Sequence, residues 1–236
     1  NSLNINIVPV GNDSIGIKAI QVVPRLVDNE DKNIEFTDAG LEGLAGCESL
    51  RILDLSRTNV KGLGLGSLAK LQNLEEIDLE GATVRGTIFQ DLGELKSLRT
   101  INVARTSLTG AGLQMLTELP QLQVLSLEET ALDDDGLRNL GRVRSLRALN
   151  LNGTGVTGAN LNELGDLPLI RLELEGTRLT ATALKAITQI NTLRSVNLRG
   201  TTMGEANAQV IRKALPECAV RIGAIPAKPT GTPTPR

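Results

Sequence analysis

The amino-acid sequence predicts an α/β solenoid, and two observations carry that prediction. A phrase of the form Leu-x-x-Leu-x-Leu, with Ile or Val at some Leu positions, recurs along the 236-residue chain at intervals of 24, 24, 24, 24, 23 and 24 residues. Each recurrence has one half with alternating polarity and one half with apolar residues three apart. Self-similarity at a fixed period of this length is typical of stacked repeats. We therefore expect seven strand–helix units, which start at Leu50, Leu74, Leu98, Leu122, Leu146, Leu169 and Leu193.

The first half of each unit predicts a short β-strand. Apolar and polar residues alternate there, as in Leu53-Asp54-Leu55. Alternation with a period of two is typical of a strand that buries one face and leaves the other in water. The polar residue between the two apolar ones is therefore expected to point outward.

The second half of each unit predicts a helix that packs by one side. In residues 109–120, the apolar side chains are spaced by three, which is the spacing of one helix face. Pro120 and Pro168 stand where a helix should stop. A side-chain oxygen that can cap the free amides of a first helical turn stands where four helices should begin, at Thr109, Asp133, Thr157 and Thr180.

A column of threonines follows the strands, eight positions after each starting Leu. Its members are Thr58, Thr106, Thr130, Thr154, Thr177 and Thr201, and Ala82 is the exception. The combined pattern LxxLxLxxTxVTxxGLxxLxxL resembles the leucine-rich repeat family, specifically the 24-residue Thr-type bacterial repeats that are common in planctomycete proteins. The resemblance extends from Leu26 to Ile222.

This resemblance implies an α/β fold: a right-handed leucine-rich-repeat solenoid of horseshoe shape, with a parallel sheet on the concave face and helices on the convex face. In the commoner form of the family, an Asn occupies the Thr position, and its amide bonds the backbone of neighbouring turns. A hydroxyl offers one donor and two acceptors, so we expect the Thr column to bond the same groups. Ala82 is then a gap in the ladder.

The ends of the chain predict caps, which stacked repeats require. Residues 1–49 are expected to form an N-terminal cap, made of a β-hairpin around Gly11–Ser14 and a degenerate repeat. Residues 50–222 hold the repeats and a C-terminal cap. Residues 223–236 contain four Pro among Thr and Gly, a composition that predicts a disordered tail.

The composition excludes several kinds of chemistry. Because the chain has no His, Trp or Tyr and only two Cys, it can assemble neither a Ser-His-Asp triad nor a His- or Cys-rich zinc site. Cys47 and Cys218 belong to opposite ends of the stack and are too far apart for a disulfide. A net charge of −2 predicts no nucleic-acid binding, and the short apolar stretches predict no membrane insertion. We expect a monomer without enzyme activity, catalytic residues, cofactor or metal.

The outward residues of the strands supply the candidate site, because members of the family usually bind ligands against the concave sheet. An arginine stripe, which includes Arg51, Arg99, Arg147 and Arg194, runs beside an acidic and amide stripe. A charge-striped face selects partners by complementarity. We therefore predict a protein partner, of unknown identity, that contacts Asp54, Asp78, Glu80, Asn102, Glu128, Asn150, Glu173, Glu175, Asn197 and Arg199.

Other interpretations are open at this point. The chain could be a structural spacer or assembly element of a larger exported protein, and its compartment is unknown, with export or a periplasmic location as an option. The carboxylates Asp78, Glu80, Glu128 and Glu129 could serve a hydrolase, but an open face lacks the burial that raises carboxyl pKa values. The run Gly62–Gly66 resembles a dinucleotide loop only superficially, because it lacks the βαβ context of that motif.

Overall fold

The computed structural model describes residues 6–9, 19–23, 36–86 and 88–225. Within them, ten strands form one sheet in chain order. The first two strands pair antiparallel, and all later pairings are parallel. The strands are β1 Asn6–Pro9, β2 Ala19–Val23, β3 Ile52–Asp54, β4 Glu76–Asp78, β5 Thr100–Asn102, β6 Val124–Ser126, β7 Ala148–Asn150, β8 Arg171–Glu173, β9 Ser195–Asn197 and β10 Ala219–Arg221.

The first two strands lie in the segment that predicts an N-terminal hairpin. Ile7 of β1 is opposite Val22 of β2, and β2 continues the sheet because Ile20 is opposite Leu53 of β3. The turn signal Gly11–Ser14 and residues 226–236 of the predicted tail lie outside the described residues. The division of the chain into cap, repeats and tail stays a prediction.

The repeat period sets the register of the parallel strands. Each strand of the seven repeats places its central apolar residue opposite that of the next, and all seven of these side chains are buried. The single 23-residue interval does not break the row, since Leu149 is still opposite Leu172. The missing residue is taken up before the strand, where 167–169 is one residue shorter than the equivalent 119–122.

The other half of each repeat is helical, and 3₁₀-helices alternate with α-helices from the first repeat to the sixth. The expected helical segments are thus present, but three of the seven are 3₁₀-helices. A 3₁₀-helix rises about 2.0 Å per residue against about 1.5 Å for an α-helix, so a short segment can span the same distance. The elements are α1 Asp38–Leu41, η1 Glu42–Leu44, η2 Leu65–Lys70, α2 Ile88–Leu92, η3 Leu113–Glu118, α3 Asp134–Leu140, η4 Leu161–Leu164, α4 Ala181–Gln189 and α5 Glu205–Ala214, with η for 3₁₀.

Two of the four predicted helix starts agree with the structure. Asp133 precedes α3, and its carboxylate accepts a backbone N–H of that helix at 3.3 Å. Thr180 precedes α4, but its hydroxyl donates to the Thr157 carbonyl oxygen at 3.0 Å and caps no amide. The starts predicted at Thr109 and Thr157 are wrong: η3 and η4 begin four residues later, because a glycine with positive φ, Gly112 or Gly158, lies between each Thr and its helix and delays the helical turn.

Each hydroxyl of the threonine column bonds to the backbone of its own turn. The buried Thr106 hydroxyl donates to the Val103 carbonyl oxygen, three residues earlier, at 2.7 Å. The expected donation to neighbouring turns is therefore wrong, because each of these hydroxyls donates its single proton to a carbonyl oxygen of its own turn. The same bond, at 2.6–2.7 Å, is made by Thr58, Thr130, Thr154, Thr177 and Thr201.

Filling the gap at Ala82 is expected to stabilise the fold. Ala82 is buried, and its N–H donates to the Leu79 carbonyl oxygen at 3.0 Å, so the acceptor for a hydroxyl is in place. We expect Ala82→Thr to raise the free energy of unfolding by about 1 kcal/mol, and Thr130→Val to lower it by about the same amount. Urea denaturation followed by circular dichroism measures both. A less stable Ala82→Thr would contradict the structural role given to the column.

Candidate functional site

The outward side of the sheet divides into two parts along the strands. The strand-entry band consists of the last residue before each repeat strand and the first residue within it: 51–52, 75–76, 99–100, 123–124, 147–148, 170–171 and 194–195. The strand-exit rows consist of the third strand residue and the residue two positions later: 54 and 56, 78 and 80, 102 and 104, 126 and 128, 150 and 152, 173 and 175, 197 and 199. The side chain between the two parts is buried in every repeat.

All ten predicted contact residues lie in the strand-exit rows, so the structure brings them together on one face. Asn197 is buried, and the other nine are half-buried. Seven of these side chains bond to the backbone or to each other.

The side chain of the third strand residue accepts a backbone hydrogen bond just after the strand ends. Asp78 Oδ1 accepts the Glu80 backbone N–H at 2.8 Å. Short Asp and Asn side chains favour such local bonds, which compete with strand pairing. Half of the ten predicted residues thus have a structural role, which the sequence prediction missed. The other four that accept the N–H two residues later, at 2.9–3.3 Å, are Asp54, Asn102, Asn150 and Asn197.

The Asn side chains also link neighbouring repeats. Asn150 Nδ2 donates to the Glu128 carboxylate at 2.8 Å. Each such bond fixes the position of a carboxylate on the preceding repeat. The strand-exit rows are therefore a preorganised polar network. Its other links join Asn102 to Asp78 at 3.1 Å and Asn197 to Glu175 at 2.9 Å.

Arg105 gathers three carboxylates beside the strand-exit rows. Its guanidinium nitrogens lie 3.2 Å from Glu80, 3.7 Å from Glu128 and 3.3 Å from Glu129 carboxylate oxygens. The sequence prediction had placed Glu80 and Glu128 in the site but not the arginine that joins them. The Arg105 side chain is 44% exposed, so water screens these ion pairs.

Arg105 belongs to a column in which every repeat has a positive φ. Side chains are disfavoured in this left-handed region, whereas glycine adopts it freely. The repeats thus place three charged side chains at positions where glycine would be less strained. Because glycine recurs at this position in the other repeats, the sequence could have identified these three residues as unusual. Glycine is present at Gly81, Gly153, Gly176 and Gly200, and the charged residues are Arg57, Arg105 and Glu129.

Burial alters the acidity of Asp78. Desolvation raises the pKa of Asp78 above its ordinary value, opposed by the hydrogen bonds from the Glu80 amide and from Asn102, and aided by the charges of Asp54 and Glu80. The expectation that an open face cannot raise a carboxyl pKa is therefore wrong at this residue. Both Asp78 oxygens accept hydrogen bonds, as a structural carboxylate does.

The raised pKa of Asp78 gives stability a defined pH dependence. Because the native pKa is raised, the protonated Asp78 side chain stabilises the folded chain relative to the ionised one. This contribution to the free energy of unfolding is complete below the usual Asp pKa of about 3.9 and is lost as pH rises through the native pKa. Asp78→Asn carries no proton to lose. We therefore expect the stability of Asp78→Asn, relative to the unchanged chain, to improve as pH rises from about 3 to about 7. Urea denaturation across this range measures it, and a constant difference would contradict the pKa direction.

The strand-entry band carries the exposed aliphatic side chains of the sheet face. Ile52, Val124 and Ile170 are 42%, 40% and 41% exposed. The sequence prediction recorded an arginine stripe here but left the band out of the site. Strand alternation could have identified Ile52 and Val124, since each is two residues before an outward polar residue. The arginines of the band are Arg51, Arg99, Arg147, Arg171 and Arg194.

A groove and two cysteines lie away from the sheet face. The groove, of about 670 Å³, is lined in part by Arg85, Gln114 and Met115. Cys47 and Cys218 are free thiols, and burial raises the pKa of the Cys218 thiol. Within the described ranges, no three His, Cys, Asp or Glu side chains are placed to hold a metal ion. Among the described helices, none has the length and apolar character needed to span a membrane.

Comparisons with known proteins agree with the repeat and the fold. A family model described as Leucine Rich repeat matches residues 46–69. The structure of an internalin C2 from Listeria monocytogenes is similar, with a TM-score of 0.58 and 18% identity, over 76% of this chain and 80% of that chain. A leucine-rich-repeat protein from Leptospira interrogans is similar with a TM-score of 0.50 and 21% identity, over 75% of this chain and 56% of that chain. No curated protein matches the sequence at a significant level.

These matches agree with the repeat pattern and with the architecture of the chain. The family model covers one repeat unit, and the remaining units share its Leu register. The solved structures share the arrangement of a parallel sheet and helices in an α/β solenoid. In its repeats, its matched unit and its α/β solenoid fold, the chain is similar to leucine-rich-repeat proteins.

Proposed function

We propose that the chain is a non-enzymatic recognition module that binds a protein partner through the concave strand face. Proteins with this repeat are commonly protein-interaction modules. The observation that carries the proposal is the outward sheet face itself, where aliphatic and charged side chains stay accessible on seven parallel strands. Parallel sheets are usually covered on both faces, so an accessible one suits docking.

The preorganised strand-exit rows support this proposal. Carboxylates that are already held by Asn150, Asn197 and Arg105 lose little conformational entropy when a partner binds. The ten predicted residues would act as such a fixed edge of the site. Because their oxygens also accept internal hydrogen bonds, the same network favours recognition over catalysis.

Capture of a partner with matched variants tests the proposal. The sheet-face variant is Glu80→Gln/Glu128→Gln/Glu175→Gln, in which Gln keeps an acceptor oxygen for Arg105, Asn150 and Asn197. The matched control, Glu94→Gln/Glu118→Gln/Glu163→Gln, removes the same charge from exposed residues in or beside the helical elements. We expect a protein that the unchanged chain and the control retain from an extract of the source organism, and that the sheet-face variant retains about tenfold less, since neutralising contact charges weakens association.

Equal retention by all three proteins would contradict binding through the sheet face. A spacer or assembly element predicts this second result, together with loss of function when whole repeats are deleted. The experiment thus separates the two candidate roles. Circular dichroism of each variant shows that the fold is kept.

A further inference from the structure

We propose that the strand-entry band binds an acidic segment of the partner, in which aliphatic side chains alternate with carboxylates. This inference rests on the proposed function and assigns the chemistry of the ligand. It adds a second contact at the opposite ends of the same strands, while the strand-exit carboxylates keep the contact that the proposed function gives them, with another part of the partner.

The positive charge of the band indicates that its ligand is acidic. From Arg99 to Ser195, the band contains four arginines and no Asp or Glu. The Arg99, Arg171 and Arg194 side chains are 48%, 55% and 52% exposed, and they pair with Glu75, Glu173 and Glu217 at 3.9, 3.1 and 3.3 Å. Because water screens such exposed pairs, a ligand carboxylate can compete for these guanidinium groups. Arg147 makes no ion pair with another described residue. Guanidinium groups bind carboxylates with paired hydrogen bonds, which identifies the acidic character of the ligand.

The exposed aliphatic residues of the band indicate that the ligand also has apolar side chains. Ile170 is level with Arg147 on the neighbouring repeat, and Val124 on β6 is opposite Ala148, the residue after Arg147. Arg147 is thus close to two exposed aliphatic side chains, which offers apolar contact and charge in one place. Arg is also among the residues that protein interfaces favour. The ligand therefore needs aliphatic side chains as well as carboxylates.

The strand-exit rows determine where such a ligand lies. Their fixed carboxylates, which include Glu128, Glu173 and Glu175, repel an acidic segment. The entry band attracts it, so the segment is expected to cross the strands over repeats three to seven, along the band. Opposite charges on the two halves of one face thus set the orientation of the partner.

A pair of peptides and a pair of variants test the inference. The probes are fluorescein-labelled 12-residue peptides with identical Val and Gly residues, one with Glu and one with Lys at alternate positions. Arg147→Glu changes the band, and Arg144→Glu, whose exposed guanidinium lies 3.8 Å from Asp166, makes the same charge change outside it. Ile170→Thr shortens the apolar contact. Fluorescence anisotropy at low and moderate salt measures binding to each full-length protein.

We expect the unchanged chain to bind the Glu peptide at least about tenfold more tightly than the Lys peptide. Arg147→Glu should weaken that binding by about fivefold or more, Ile170→Thr by about twofold to fivefold, and Arg144→Glu by less than about twofold. Equal binding of the two peptides, or equal effects of the two Arg variants, would overturn the inference. Tighter binding of a labelled 12-nucleotide oligothymidine than of the Glu peptide would overturn it as well.

The outcome is separable from that of the proposed function. If the sheet-face variant loses its captured partner while the Glu peptide shows no preference, the inference fails and the proposed function stands. If capture is equal for all variants, the proposed function fails, whatever the peptides do.

Discussion

Leu125→Ala is expected to lower the free energy of unfolding by about 3 kcal/mol or more. Leu125 is the central residue of β6, fully buried, and opposite Ile101 and Leu149 of the neighbouring strands. The substitution removes buried carbon atoms and leaves a cavity, because repeats on both sides hold the surrounding side chains in place. Urea denaturation followed by circular dichroism measures the change.

Leu63→Ala is the matched control for this substitution. Leu63 is 82% exposed, so the same chemical change there should shift stability by less than about 0.5 kcal/mol. Similar small losses at Leu63 and Leu125 would show that the central row of the sheet is not a tightly packed core, and would contradict the fold described above.

Asp134→Ala is expected to cost about 2–3 kcal/mol, the second large effect. Asp134 begins α3, and its carboxylate bridges to the next repeat. It accepts the Thr157 hydroxyl at 2.6 Å, the Thr157 amide at 3.1 Å and the Gly158 amide at 2.9 Å. Alanine leaves all three donors without this acceptor, and two of them are backbone amides that cannot move away easily.

Two further variants separate the carboxylate bridge from a general charge effect. Asp135→Ala removes a neighbouring carboxylate whose side chain is 79% exposed, and it should cost less than about 0.5 kcal/mol. Asp134→Asn keeps one acceptor oxygen and should cost about 1 kcal/mol. Equal losses for Asp134→Ala and Asp135→Ala would contradict the bridge. Thermal and urea denaturation give the comparison.

The register of the sheet could be predicted from the sequence because one physical requirement repeats in every unit. Each strand must bury its central apolar residue, so the Leu column determines the pairing even where an interval is 23 residues. The type of helix could not be predicted in this way. Residues 113–118 and 134–140 have similar apolar spacing, yet the first is a 3₁₀-helix and the second an α-helix. The residue before each helix determines its type: Gly112, with a positive φ, precedes the 3₁₀-helix, and Asp133, which caps an amide of the first turn, precedes the α-helix.

The candidate site was predictable in position but not in its bonding. Alternation correctly placed Asp78 and Asn102 on the outward face. It could not show that Asp78 accepts hydrogen bonds from the Glu80 amide and from Asn102, or that burial raises its pKa. These properties depend on the side chains of adjacent strands, which a single repeat does not contain. The same limitation hid the ion pairs of Arg105.

The sheet face has two different tasks under this account. The strand-exit rows close the strands and hold carboxylates at fixed positions, and the strand-entry band offers accessible arginine and aliphatic side chains. Substitutions in the exit rows are therefore expected to affect both stability and binding. Substitutions at Arg147 or Ile170, which are exposed, should affect binding alone.

A photo-crosslinking amino acid at Val124, with the protein partner recovered by capture, tests recognition through the sheet face most directly. Val124 is 40% exposed on the sheet, and the same amino acid at Gln114 of η3, exposed on the helical side, is the matched control. We expect a covalent adduct with the partner from position 124 and little or none from position 114. An adduct from position 114 alone, with the complex intact, would contradict it.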